Sequence, residues 1–91
     1  MNENVSIESV WQLLTEHQSE TFYTMKKLPF TYVVKGGELF VDRRSKSITK
    51  ATFDQALNKL KENPQQITGP KSLNVFGAPY VWAIFKAFNI V

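Results

Sequence analysis

The chain has no cysteine and a single histidine among its 91 residues. Without thiols there are no disulfides, thiolate nucleophiles or thiolate metal sites, and the composition fits a reducing compartment, so a cytoplasmic location is expected. With His17 as the only imidazole, a histidine pair or His-metal cluster cannot be assembled within one chain. In the last turn of a first helix, this residue reads as a solvent-facing cation suited to the helix dipole. No run of apolar residues approaches the ~20 needed to cross a bilayer, and the N-terminus is acidic and polar, unlike a secretion signal. A soluble protein without a membrane partner is expected.

Catalytic patterns are missing as well. No acidic residue is followed two positions later by lysine, which removes the acid-x-Lys element of many metal-dependent nucleases. Glu38 and Asp42 share a strand face, but at ~3.3 Å per residue they stand about 13 Å apart, too far for a carboxylate pair. Nothing around Gly36-Gly37 resembles a P-loop or dinucleotide pattern, which leaves a hairpin turn as its reading. These absences argue against an enzyme, a metal or a cofactor.

Lysine and arginine are absent from the first twenty positions, which hold four acids (Glu3, Glu8, Glu16, Glu20). The rest of the chain carries all 11 lysines and arginines against the remaining four acids, a split of −4 and +7. Such asymmetry selects the sign of a partner while saying little about fold. An apolar share of 43% and a charged share of 21% are ordinary for a globular chain, and 91 residues allow one core, so residues 1–91 read as a single domain.

Ser6 as N-cap, with Ile7, Val10, Trp11 and Leu14 at helical spacing, predicts a helix over Ile7 to His17. β-formers at Thr21 to Thr24 and, after Pro29, at Phe30 to Val34 predict two strands. Gly36-Gly37 then turns the chain into a third, Glu38 to Arg43. The turn fixes a register: Lys35 opposite Glu38, Val34 opposite Leu39, Val33 opposite Phe40 and Tyr32 opposite Val41, with the face of Phe30, Tyr32, Val34, Leu39 and Val41 as core. Thr49 caps a second helix over Lys50 to Glu62, stapled by Ile48 and Phe53 and ended by Asn63-Pro64. Leu73 to Phe76 reads as a short strand or an apolar plug, and Pro79 opens a final helix, Tyr80 to Ile90, that is apolar on several sides. The fold class is α+β: a three-stranded antiparallel meander packed by helices, in the order α-β-β-β-α-(short β)-α.

Two constellations are candidates for function. In a meander, the Lys26-Lys27 turn and the Arg43, Arg44, Lys46 exit share the end of the hairpin opposite Gly36-Gly37. Adding Thr49 and Lys50, whose free amides open the second helix, gives an anion site of the kind that holds phosphates. The alternative is that these cations are solvated and maintain solubility. The second constellation is aromatic: Tyr80, Trp82 and Phe85, with Phe76 and Phe88, concentrate near the C-terminus. They form either ordinary core or a protein interface, including one across the two-fold axis of a homodimer.

The strings Thr21-Phe22-Tyr23-Thr24, Leu28-Pro29-Phe30-Thr31-Tyr32 and Gly77-Ala78-Pro79-Tyr80-Val81-Trp82-Ala83-Ile84 resemble a family of short uncharacterised proteins from Gram-positive bacteria and their mobile elements. That resemblance implies no activity. The order of a meander followed by a helix is similar to integrase-arm and plant-transcription-factor domains that lay a sheet in the DNA major groove, although here a helix is added at each end. The expectation is a non-enzymatic binding module contacting nucleic-acid phosphates through the basic cluster. The alternative is a homodimer or protein-interaction adaptor using the aromatic C-terminal helix.

Overall fold

The computed structural model describes residues 6–43 and 46–91. Along them run α1 (Ile7–Glu16), β1 (Phe22–Tyr23), β2 (Pro29–Phe30), β3 (Tyr32–Lys35), β4 (Glu38–Val41), β5 (Ile48–Thr49), α2 (Lys50–Glu62), α3 (Pro70–Leu73) and α4 (Ala78–Ala87). The class is α+β, with helices packed on two small antiparallel sheets.

Local signals set most boundaries. The Ser6 hydroxyl accepts from the Ser9 amide at 3.2 Å and starts α1, and the Thr49 hydroxyl accepts from the Thr52 amide at 3.2 Å and starts α2. Gly36 has φ +60° while Gly37 does not have positive φ, the pattern of a hairpin turn that needs glycine at its first central position. The resulting register pairs Lys35 with Glu38, Val34 with Leu39, Val33 with Phe40 and Tyr32 with Val41, as the turn predicts.

The meander differs from expectation in its second strand, which is split, and in the added strand β5. Residues 29–35 form two strands broken at Thr31. The first pairs with β1 in a two-stranded sheet, and the second with β4. At the break, the Thr31 carbonyl accepts from the Asp42 amide at 3.0 Å, but the Thr31 amide donates to the Asp42 carboxylate at 3.0 Å. A side chain thus replaces one rung of the ladder and lets the chain change sheets. The outer edge of β4 is taken by β5, Leu39 opposite Ile48 and Glu38 opposite Thr49. Leu39 and Ile48 are both fully buried, and their burial selects this pairing. The stretch Leu73 to Phe76 forms no strand: it begins at the last residue of α3, Leu73, which is fully buried as the plug, and turns at Asn74 in the left-handed conformation.

The core lies between the sheet and α1, α2 and α4, around Leu14, Tyr32, Phe53 and Phe85. Trp11 meets Phe53 edge-on at 5.7 Å, and Phe53 meets Phe85 at 5.9 Å. The Tyr32 hydroxyl donates to the Leu14 carbonyl at 2.8 Å. Burial, reinforced by the nearby Glu20 charge, pushes the Tyr32 phenol well above its ordinary pKa. Gly77 begins α4 at φ +69°, where an added Cβ would lie 2.5 Å from the Ile48 δ-methyl. Only glycine suits both that backbone angle and that approach.

Candidate interaction groove

The basic cluster is divided between the two ends of the β3–β4 hairpin. Lys26 and Lys27 sit on the β1–β2 turn, which is closed by Thr24 amide to Leu28 carbonyl at 3.0 Å and Lys27 amide to Thr24 carbonyl at 2.9 Å. Arg43 reaches the same end, its guanidinium donating to the Pro29 carbonyl at 3.3 Å. Lys46 is exposed on the link to β5, and Arg44 lies outside the described residues.

Thr49 and Lys50 are at the other end, about four strand residues or ~13 Å away. β5 runs back antiparallel to β4, and the Lys50 amide donates to the Gly37 carbonyl at 2.8 Å. With the Thr52 amide held by the Thr49 hydroxyl, the opening of α2 has already spent two of its amides. The Lys50 ammonium stands 4.0 Å from the Glu8 carboxylate. The phosphate cradle expected at this helix is therefore not assembled beside the other cations.

The aromatic constellation is mostly interior. Phe85 is fully buried, and Trp82 is 6% exposed. Tyr80 is half-buried, its ring edge-on to Phe30 at 5.0 Å. These three side chains do not form one exposed patch, and the reason is the small size of the domain: α4 is needed to fill the core.

An open groove of about 720 Å³ lies at the cationic end. One wall is the continuous run Glu20–Met25, and the other is the flank of α4 that carries Ala83, Lys86 and Ala87. Phe22 and Phe88 meet edge to face at 5.8 Å and join the walls. His17, from the end of α1, lies 2.8 Å from the Glu20 carboxylate and 5.2 Å from the Phe88 ring. Its side chain is 40% exposed, so it faces solvent while lining the groove. Tyr23 and Met25, each 60% exposed, stand at the mouth.

Lys27 and Lys86 line the groove and make no ion pair among the described residues, whereas Glu20, the groove's carboxylate, is engaged by His17. Trp82 lines it too, and its buried indole N–H has no hydrogen-bond acceptor among the described residues. Among the described residues no three His, Asp or Glu side chains converge as metal ligands, and no helix is long and apolar enough to cross a membrane.

Tyr23, Met25, Ala83, Lys86 and Ala87 are the groove residues that sequence reasoning passed over. A signal was present in α4: Lys86 is its only charge, and with Ala83 and Ala87 beside it marks the one flank without large apolar groups. Compared with known proteins, the chain matches no family model. No curated protein matches it. No solved structure matches it.

Proposed function

We propose that this protein is a non-enzymatic interaction module that receives a polypeptide partner in the groove beside β1 and α4. The observation that carries this reading is the coexistence of exposed Tyr23 and Met25 with two lysines that make no ion pair among the described residues, around a recess of about 720 Å³. That volume is within the ~300–1,000 Å³ of typical ligand sites. Large exposed side chains at a recess supply apolar burial, and flanking charges supply orientation. This is the adaptor reading, with its surface moved from Tyr80, Trp82 and Phe85 to the neighbouring flank of α4. A cysteine-free chain suits a cytoplasmic setting.

Nucleic-acid backbone is the second reading, favoured by the exposure of Lys26, Lys27, Arg43 and Lys46 and by the absence of ion pairs on them among the described residues. Polypeptide is preferred over it because the groove wall is largely apolar and includes a carboxylate, and because the amides of α2 are elsewhere.

Chemical-shift mapping with a mixed-sequence hexapeptide pool and with a dT12 oligonucleotide separates the two. The expected result is peptide-induced shifts confined to Thr21–Met25, Trp82 and Lys86. Shifts centred on Lys26, Arg43 and Lys46 with dT12, weakening on a log-log salt plot by about 0.7 per phosphate contact, would instead restore the nucleic-acid reading. A mass that doubles with concentration would make the partner a second copy.

A further inference from the structure

We infer that the occupant of this groove is an extended, acidic polypeptide segment that adds as a strand to the outer edge of β1, a deepening that rests on the polypeptide-binding reading above. Three observations lead to it.

First, β1 has a free edge. Backbone groups of an antiparallel strand point alternately to either side. The Thr24 amide bonds the Leu28 carbonyl in the hairpin, and Phe22, two residues earlier, pairs with Phe30. The even positions are therefore the ones that bond β2, and within β1 it is Tyr23 that turns its amide and carbonyl outward. Pro29, opposite Tyr23, agrees with this: it has no N–H to offer, and its carbonyl points away from β1 to accept from Arg43. Among the described residues, no group bonds the outward backbone of Tyr23. An unpaired strand edge is a template for another strand.

Second, the edge opens into the groove. Both parities of the run line the recess, Phe22 and Thr24 as well as Thr21, Tyr23 and Met25. A strand face presents one parity; an edge presents both. α4 packs closely on β1, so the added strand lies alongside the helix, with its inward side chains over Ala83 and Ala87, whose small side chains leave room.

Third, the cations at the groove outnumber its one carboxylate, Glu20. Lys27 at the hairpin tip and Lys86 on α4 line the groove without an ion pair among the described residues, Lys26 is adjacent, and His17 lies 2.8 Å from the Glu20 carboxylate. Carboxylates spaced along an extended segment satisfy these lysines while its backbone pairs with Tyr23.

The test titrates the full chain, followed through the Tyr23 amide and the Trp82 indole N–H resonances, with hexapeptide pools carrying glutamate at alternate positions and mixed apolar residues between. Matched pools replace glutamate by lysine, or carry backbone N-methyl groups at alternate residues so that each edge is blocked in turn. The glutamate pool should bind about tenfold tighter than the lysine pool, and one of the two N-methyl patterns should weaken it by about tenfold, the loss expected for two hydrogen bonds or two charge contacts. The double substitution Lys27→Glu/Lys86→Glu should reverse the charge preference, with Lys27→Gln/Lys86→Gln abolishing it if the glutamate pair perturbs folding. Equal binding of every N-methyl pattern, or of both charge pools, overturns strand addition or acidity while leaving a polypeptide groove. No shift at the groove with any pool removes the polypeptide reading itself, as does tighter binding of dT12.

Discussion

The two ends of the hairpin formed by β3 and β4 differ in how completely they satisfy themselves. At the Gly36-Gly37 end, the Trp11 indole donates to the Gly36 carbonyl at 3.0 Å and the Lys50 amide to the Gly37 carbonyl at 2.8 Å. There the Ser47 hydroxyl also meets the Glu38 carboxylate at 2.6 Å, and Lys50 approaches Glu8. At the other end Lys26, Lys27 and Lys86 have no ion pair among the described residues, Tyr23 and Met25 are exposed, and the Trp82 indole N–H is buried without an acceptor among those residues. The first end holds three segments of chain together; the second leaves Tyr23, Met25 and its lysines exposed at the surface of the groove. Charge alone did not separate them, because Lys50 and Lys27 look alike until their partners are known.

That contrast can be broken most forcefully at the closed end. Phe53→Ala should cost about 3–5 kcal/mol in urea unfolding, because Phe53 is fully buried between Trp11 and Phe85. Gly77→Ala should cost about 1–3 kcal/mol, combining positive φ with the approach to Ile48, and melting temperature is its readout.

Alkaline titration probes the interior between the ends. Tyr32 keeps its proton in the fold above the ordinary tyrosine value, so its contribution is complete below about pH 10, where the unfolded phenol begins to ionise. Stability should then fall with pH by at most about 1.4 kcal/mol per unit from this residue, a slope that Tyr32→Phe removes.

The two tryptophans give the most direct internal comparison. Trp11→Phe should cost about 1 kcal/mol more than Trp82→Phe, since only the first loses a hydrogen bond. Equal costs would mean that the Trp82 indole finds an acceptor in solution. At the open end, Lys27→Glu/Lys86→Glu should change stability by no more than about 0.5 kcal/mol, as expected of exposed charges without partners.

Legibility in the sequence follows the same division. The bounds of α2 were readable because Thr49, Ile48 and Asn63-Pro64 act within a few residues, and the hairpin register because Gly36 decides it locally. β5 was not, since two residues carry no periodicity and Ile48 is recruited by Leu39, nine positions away. Moving Ile48 onto β4 also carried Thr49 and Lys50 to the far end, which is why they come apart from Lys26, Lys27 and Arg43, with which chain order had placed them. Lys26, Lys27 and Arg43 stayed together because the β1–β2 turn and the exit from β4 flank one short strand. The groove needed the meeting of Glu20–Met25 with Ala83–Ala87, some sixty residues apart, and only tertiary packing brings such segments into contact. Phe85 and Trp82 misled as surface anchors for a reason of size: so small a chain uses its large aromatics for the core first.

Amide hydrogen exchange at Tyr23, with and without a saturating glutamate-alternating peptide pool, tests the central claim most directly. The account predicts that Tyr23 exchange slows at least about tenfold on binding while Phe22, already paired with Phe30, changes little. Groove side-chain resonances that shift while Tyr23 exchange stays at its free rate would contradict it.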